Sequence, residues 1–370
     1  MLKELFRKRV EDLRNYFKSK NADGLLLKRC DNFSWFTFGG RSHITLDTKE
    51  AGVASILVTE NKVYLFTDNI ERMRLEKEEL NEEILDELEI VEYKWFENEY
   101  QYLNPYIKNK KILSDTDMYD TINVKPEIAP FRYVLTDYEI QNYRELGKIC
   151  DLIMNEEMKK LNPDMTELQV QGIFYNKLAE NGIEPLLTIV FGEESAMLYR
   201  HNLSRNVKLG KKVFVSLCAR KKGLVVSITR SILFKEDKTF IKQHKDNCYV
   251  DAVAMANSIP GKKLSDVFKN IQSAYSEVGR NDEWKLHHQG GLAGYNSREL
   301  KATGNSDYVL KPGNALAWNP TITGTKSEDT IVINKNDFEI LSYPEDSDWP
   351  SLTFEINGKK VRRPDILVLS

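Results

Sequence analysis

The chain has 370 residues, of which 41% are hydrophobic and 29% are charged, and its formal net charge is −3. This composition is typical of a globular protein with two or three domains. The charge balance argues against a nucleic-acid partner, because binding a polyanion would require a basic face. The cysteines are widely spaced without a CxxC pair, which favours reduced thiols in a cytoplasmic protein. We expect neither a signal peptide nor a membrane span, because no apolar run approaches the ~20 residues that cross a bilayer.

The first third of the chain alternates strand and helix patterns, which predicts a mixed sheet with flanking helices. Apolar residues at helical spacing predict a first helix near residues 2–17. Residues 23–38 predict a buried strand, a turn and a short second strand. Two apolar runs around Glu60 and Asn61 predict a β-hairpin. A charged helix, a strand, a further helix and a further strand follow.

A domain boundary is predicted near Pro130, where proline interrupts the periodicity. Two capping boxes then predict two successive helices, the first starting after Thr136 with Glu139 and the second after Thr166 with Gln169. Both boxes pair a threonine with a Glu or Gln three residues later, so each can satisfy backbone donors at a helix start.

Strand patterns predominate in the remainder of the chain. After the second helix we predict a strand that enters a loop, a hairpin that turns near Lys222, a helix over 236–257 and a helix capped by Ser265. Beyond residue 284 the pattern is strands and turns, ending in a hairpin at Asn357, which precedes a glycine.

Four stretches carry a recognisable order and spacing. They are RHNLSRNVKLGKKVFVSLCARKKGLVVSITRS (200–231), HHQGGLAGY (287–295), LKPGNALAWNP (310–320) and GTKSEDTIVIN (324–334). Together they resemble the pita-bread (M24-like) superfamily, which includes aminopeptidase P, prolidase, methionine aminopeptidase and creatinase. The first half also looks like a creatinase-type N-terminal domain.

The resemblance implies an α/β (α+β) fold with three parts. These are a creatinase-like N-terminal mixed-sheet domain (1–132), a pita-bread domain (133–343) and a C-terminal hairpin extension (344–370). It also implies a hydrolase that acts on a small molecule or short peptide, and a homodimer.

The metallopeptidases of this superfamily hold two divalent ions with two Asp, one His and two Glu. The motifs place these ligands on Ser216, Ser227, His288, Asn319 and Glu328. Three of the five are therefore replaced, and the charge of the carboxylate shell falls from −4 to −1. Two divalent ions bring about four positive charges, which carboxylates normally offset at ~2.0–2.2 Å. We therefore predict a site without a pair of metal ions and without another cofactor. A single, weakly held ion on His288 and Glu328 stays open, although it would lack a third anchor.

Creatinase is the precedent for this fold working without a metal, and its histidine is matched by His201. An imidazole there would act as general acid or base. His288 and Glu328 are predicted to form a proton-transfer pair or to stabilise developing charge; the alternative is a relic of a lost metal site. His287 is predicted to point to the opposite face and to be structural. A second peptidase histidine falls on Tyr295, which weakens the case for prolyl-peptide hydrolysis.

Polar side chains from several motifs are predicted to contact the substrate. They are Ser216, Ser227, Arg230, Tyr295, Asn319, Lys326 and Arg41. Lys326 and Arg230 are also candidate partners for a buried Glu328 carboxylate. Arg41 belongs to the N-terminal domain, which in creatinase-like dimers lends residues to the neighbouring subunit's pocket.

Three functions remain open from the sequence. The first is a metal-independent hydrolase that acts on a C–N bond of a small molecule or modified amino acid, with His201 transferring the proton. The second is a catalytically silent pita-bread domain that binds a ligand. The third is an Xaa-Pro-type metallopeptidase whose altered metal shell draws a carboxylate from elsewhere, such as Asp329 or Glu299.

Overall fold

The computed structural model describes residues 1–46 and 50–369. They form two compact units, Met1–Arg132 and a second unit that begins at Tyr133. Both units combine helices with β-sheets, so the predicted α/β (α+β) class is confirmed. None of the helices in the described ranges has the length and apolar character needed to cross a membrane.

The first unit is built on a six-stranded mixed sheet with the strand order β4-β3-β2-β1-β5-β6. Its helices and strands are α1 Leu2–Ser19, β1 Gly24–Leu27, α2 Cys30–Phe36, β2 Ala54–Thr59, β3 Val63–Asp68, α3 Arg72–Arg74, α4 Glu82–Leu85, β4 Glu89–Tyr93, α5 Glu99–Ile107, β5 Ile112–Ser114, β6 Ile122–Asn123 and α6 Lys125–Ile128. The apolar face of α1 buries Phe6, Leu13 and Phe17.

Two predictions for the first unit are corrected by the structure. The second strand predicted within residues 23–38 is the helix α2, which is buried on nearly every side. A short helix that is buried on nearly every side has no apolar stripe at helical spacing to distinguish it from a buried strand. The predicted charged helix is broken into α3, a π-helical turn over Leu75–Glu79 and α4, which Asn81 caps. The hairpin β2–β3 is confirmed.

The second unit contains a five-stranded antiparallel sheet, β11-β10-β12-β15-β16, and a four-stranded sheet, β19-β9-β8-β7. Its helices are α7 Asp137–Met158, α8 Glu167–Glu180, α9 Glu193–Leu198, α10 Lys238–Ala256 and α11 Leu264–Glu277. Its strands are β7 Glu184–Gly192, β8 Lys212–Lys221, β9 Leu224–Leu233, β10 Gly290–Ala293, β11 Leu300–Lys301, β12 Ala315–Trp318, β13 Thr321–Ile322, β14 Thr325–Lys326, β15 Asp329–Ile333, β16 Phe338–Ile340, β17 Ser351–Ile356, β18 Lys359–Pro364 and β19 Leu367–Val368.

Most predicted elements of the second unit are present. Both capping boxes form, at the starts of α7 and α8, and β8 and β9 form the predicted hairpin. The predicted cap Ser265 is wrong, because α11 begins at Leu264 and its N-cap residue is Lys263. The predicted C-terminal hairpin is β17–β18, and the strand after it, β19, pairs with β9 in the second unit's own sheet.

Hydrogen bonds join the two sheets of the second unit between β9 and β15. The Thr229 amide donates to the Glu328 carbonyl at 3.0 Å. The Thr330 hydroxyl accepts from the Ser227 amide at 2.9 Å and donates to the Ser227 carbonyl at 3.0 Å. This seam fixes the side chains of β9 against the residues that precede β15, and it forms one wall of the site described next.

Candidate functional site: a cation-lined pocket

A cavity of about 530 Å³ lies in the second unit beside the seam. Its walls carry five of the ten residues predicted for the site. These five are His201, His288, Asn319, Lys326 and Glu328, and they line the cavity together with Leu187, Ile189, Asn202, Leu203, Cys218, Ser297, Arg298 and Lys301. All three predicted catalytic residues therefore line one cavity.

Strand β10 organises this pocket, because it lies between β11 and β12. Gly290 pairs with Trp318, and Gly291 pairs with Lys301. A Cβ atom on Gly290 would lie 2.2 Å from the Ala317 carbonyl oxygen, and one on Gly291 would lie 2.0 Å from the Leu300 carbonyl oxygen. Only glycine permits these approaches, which bring the ends of β11 and β12 close to the histidines before β10.

Glu328 is buried, with 2% of its surface exposed, and both of its oxygens are paired with cations. Its Oε2 lies 2.7 Å from Lys326 Nζ, and its Oε1 lies 3.1 Å from an Arg298 guanidinium nitrogen. The Thr229 hydroxyl also donates to Oε2 at 2.8 Å. Burial opposes ionisation of the carboxyl, but Lys326 and Arg298 outweigh it and lower the pKa of Glu328. Glu328 is thus an anion neutralised by the protein's own side chains.

Arg298 is the residue that sequence reasoning missed. Its guanidinium donates to Glu328 and, at 3.0 Å, to the Ser227 hydroxyl. It therefore joins two positions at which the resemblance places metal ligands. The signal was weak: Arg298 lies just before β11, and only the register of β10 against β11 turns it towards β9. Lys326 is confirmed as a partner of Glu328, whereas Arg230 is not.

The two serines are buried in the hairpin β8–β9. Ser216 Oγ lies 2.6 Å from Thr229 Oγ1, and Ser227 Oγ lies 3.5 Å from the Cys218 sulfur. Neither hydroxyl contacts a histidine among the described residues. A Ser-His nucleophile therefore receives no support, and the serines act through Thr229 and Arg298, which in turn contact Glu328.

Asn319 follows β12 and is 2% exposed. Its backbone amide donates to the Gln289 carbonyl at 3.0 Å, which anchors it beside the histidines. Its side-chain oxygen is buried and has no hydrogen-bond partner within the described part of the chain. A buried acceptor without a partner is costly, and a donor on a ligand in the cavity would satisfy it.

The predicted orientation of His287 is wrong, whereas its structural role stays a prediction. The residue follows a 3-10 turn, Glu283–Leu286, so the alternation of faces in a regular strand does not apply. Its ring stacks on His288 at 4.4 Å between centroids. Its Nε2 lies 3.1 Å from Nε2 of His201. Burial, with a further contribution from Lys326, lowers the pKa of both His201 and His287, and burial with Arg298 lowers that of His288 to about 3.

Two predicted substrate contacts, Arg230 and Tyr295, lie elsewhere in the second unit. Arg230 is buried with Asp151 and Asp329 at 3.0 and 3.1 Å, because successive residues of β9 face opposite sides and Arg230 points away from Thr229. The Tyr295 hydroxyl donates to Glu139 at 2.7 Å, beside the capping box of α7. Arg41 lies in the first unit, where it pairs with Glu79 at 2.8 Å, and its contribution to a neighbouring subunit's pocket stays a prediction.

Comparison with known proteins decides the family. The sequence model of the metallopeptidase family M24 matches residues 141–335. The chain belongs to this family. The creatinase/prolidase N-terminal domain matches residues 9–125, within the first unit. A relative described as an uncharacterized peptidase from Methanocaldococcus jannaschii is 23% identical over 373 residues, covering 94% of this chain and 98% of that protein.

Solved structures share the fold of this M24 chain. An Xaa-Pro dipeptidase from Bacillus anthracis superposes with a TM-score of 0.78 at 17% identity, covering 98% of this chain and 100% of that chain. The N-terminal domain of the FACT complex subunit SPT16 from chickpea superposes with a TM-score of 0.70 at 12% identity, covering 92% and 96% of the two chains. The fold is therefore shared by a dipeptidase and by a subunit of a protein complex.

The pocket does not fit the pair of divalent ions that the family implies. Three of the five ligand positions are neutral, and both oxygens of Glu328 already face cations. Adding two dications would place them against Arg298 and Lys326 with one carboxylate to offset four positive charges. The two carboxylates that the sequence offered as substitute metal ligands do not supply the missing negative charge. The Asp329 carboxylate is held by Arg230 and Arg363, and Glu299 accepts a hydrogen bond from Asn296 at 3.2 Å.

Proposed function

We propose that this M24 chain is a hydrolase that cleaves a C–N bond of a small, anionic molecule or modified amino acid without the dinuclear metal centre. The observation that carries this proposal is that the protein's own cations face the one carboxylate that remains of the inherited ligands. Arg298 and Lys326 contact opposite oxygens of Glu328, so preorganised charge is available where metal ions would otherwise supply it.

The charge of the pocket favours an anionic substrate. Arg298, Lys301 and Lys326 line the cavity against one carboxylate, Glu328. Arg298 and Lys326 are already paired with Glu328, whereas Lys301 is exposed and has no ion-pair partner in the described ranges. A carboxylate or another oxyanion on the substrate would balance this excess, and its attraction to Lys301 would orient the substrate in the pocket.

His201 transfers the proton in the proposed reaction. Its pKa is lowered, so the imidazole is unprotonated at neutral pH and first acts as a base. Water adds to the carbon of the scissile bond and gives its proton to His201. The C–N bond then breaks and the departing nitrogen receives that proton. His287, at 3.1 Å from His201, fixes the orientation of the ring.

The experiment tests turnover against a panel of N-substituted amino acids and Xaa-Pro dipeptides by following release of the amine. We expect His201→Gln to reduce kcat at least 100-fold, consistent with loss of general acid–base catalysis, while EDTA leaves the wild-type rate unchanged. Lys245→Gln, an exposed site on α10, is the matched control and should retain the rate. Activity that EDTA abolishes and manganese restores would contradict the proposal.

The second candidate is a ligand-binding protein without turnover. The same neutralised carboxylate favours this function, because the ion pairs of Glu328 with Arg298 and Lys326 can stabilise a binding pocket that catalyses no reaction. Fold alone does not decide between the two functions. A compound that raises the unfolding temperature and is recovered chemically unchanged after long incubation would support binding, whereas its conversion would support the hydrolase.

A further inference from the structure

Three histidines converge at one side of the cavity, although they come from two distant parts of the sequence. His201 lies after α9, and His287 and His288 are adjacent residues before β10. One potential ligand atom from each ring lies within 4.8 Å of the other two. The family's ligand positions include only His288 of these three, so this cluster shares one residue with the inherited dinuclear site and differs from it in the other two.

The spacing of the nitrogens suits a metal ion. Two nitrogens that each lie 2.0–2.1 Å from a tetrahedral zinc ion are separated by about 3.3 Å. The observed separation between Nε2 of His201 and Nε2 of His287 is 3.1 Å. Small rotations of side chains would bring the His288 ring, whose centroid lies 6.0 Å from that of His201, into the same coordination sphere.

Unsatisfied nitrogen atoms give a second, independent observation. His287 is only 8% exposed, and its Nδ1 is buried without a hydrogen-bond partner among the described residues. The Nδ1 atom of His288 is in the same condition. A buried nitrogen without a partner is costly. Coordination of an ion through that nitrogen would remove this cost.

We propose that His201, His287 and His288 form a mononuclear site for a transition-metal ion, with Zn²⁺ as the preferred occupant. Three neutral imidazoles suit zinc, copper, nickel and cobalt, whereas manganese and magnesium prefer carboxylate and carbonyl oxygens. Three protein ligands leave a fourth position for water on the cavity side.

The surrounding charges set the affinity. Arg200 is paired with Glu283, and Arg298 and Lys326 are paired with Glu328. Lys301 is exposed and has no ion-pair partner in the described ranges, so it opposes a dication, although solvent screens it. We therefore expect micromolar rather than nanomolar affinity, and Lys301→Gln should tighten binding several-fold.

Zinc at this site would inhibit the chain. A nitrogen of His201 that is bound to a metal ion cannot accept a proton, so occupancy would block the base of the proposed reaction. This consequence rests on the proposed function, whereas the binding itself does not. Zinc binding can thus be measured without a substrate, and its outcome is separable from the test of hydrolysis.

The test titrates the full chain, stripped with EDTA, with ZnCl₂ by calorimetry and with Co²⁺ by visible absorption. We expect one equivalent per chain and the ligand-field spectrum of four-coordinate cobalt. His287→Gln should weaken binding at least 10-fold. Glu328→Gln is the matched control: it leaves the three imidazoles but removes the carboxylate that offsets Arg298 and Lys326, so it should weaken binding less than His287→Gln does.

X-ray absorption at the zinc edge of the wild-type protein keeps the test valid if a variant fails to fold. Three imidazole scatterers would support the site. The proposal is overturned by absence of binding at millimolar zinc, by fewer than three imidazoles around the ion, or by two equivalents per chain. It is also overturned if Glu328→Gln loses the ion while His287→Gln keeps it.

Discussion

Glu328 and Asp329 are neighbours in the chain, yet they serve opposite sides of the second unit. Glu328 faces the cavity, where Arg298 and Lys326 neutralise it. Asp329 faces the interior, where it contacts Arg230 at 3.1 Å, Arg363 at 2.7 Å and the Ser342 hydroxyl at 2.7 Å. Alternation along a strand separates the two carboxylates. The same ion-pair chemistry therefore stabilises the fold on one side and shapes a binding pocket on the other.

The interior network extends through further buried acids. Arg230 also contacts Asp151, and Arg363 contacts Asp251 at 2.6 Å. Each of these residues has at most 2% of its surface exposed. Water cannot reach a charge that loses its partner there. In the pocket, by contrast, the cations border a cavity that admits solvent. When one charged group is removed from each region, the two variants should differ clearly in their free energy of unfolding.

The largest effect is expected from Asp329→Asn. This change keeps the side-chain shape but leaves Arg230 and Arg363 with one carboxylate each in a closed interior. Breaking a buried ion pair from one side costs about 3–5 kcal/mol. We expect a loss of that size in the free energy of unfolding, measured by urea denaturation.

Glu328→Gln is the matched control for Asp329→Asn. Solvent in the cavity can hydrate Arg298 and Lys326, so the free energy of unfolding should fall by about 1.5–3 kcal/mol, the range for a lost charged hydrogen bond. Equal losses for the two variants would show that the cavity does not provide that hydration, and the contrast between the two regions would fail.

The interior can also be probed by pH, through His244. Its ring is fully enclosed and hydrogen-bonds Thr325 at 2.8 Å and the Pro364 carbonyl at 3.2 Å. Burial lowers the pKa of His244 to about 4, below the ~6.5 of an exposed histidine. A lowered pKa in the folded state stabilises the fold above pH 6.5, and that contribution is lost as pH falls towards 4.

The loss from His244 should reach about 3 kcal/mol, at 1.36 kcal/mol for each pKa unit. His244→Gln cannot take up this proton, so its free energy of unfolding should fall less steeply between pH 6.5 and 4 than that of the wild type. The slopes are compared rather than the absolute values, since the variant also loses packing. Parallel slopes would show that His244 does not remain neutral in the folded chain.

Much of the fold could be predicted from sequence because its signals are local. The capping boxes at Thr136 and Thr166 and the hairpin β8–β9 depend on residues a few positions apart. The helix α2 was missed because a fully buried segment shows no periodicity. The residue at which α11 begins was predicted wrongly, because no side chain caps its first turn and the sequence there gives no signal of the helix start.

The candidate site likewise contains residues that the sequence predicted and residues that it missed. His201, His288, Asn319, Lys326 and Glu328 were placed together by their motifs, and they line one cavity. Arg298 was not found, because its approach to Ser227 and Glu328 depends on the pairing of β10 with β11. His287 was assigned to the wrong face because the backbone before β10 is irregular.

The central claim is that side-chain cations replace the pair of metal ions in this M24 pocket. The most direct measurement is a crystal structure of the full chain grown with millimolar MnCl₂, with anomalous differences collected near the manganese edge. The account predicts an Arg298 guanidinium between Ser227 and Glu328 and no manganese peak among residues 216, 227, 319 and 328. Two manganese peaks there, with Arg298 displaced, would contradict it.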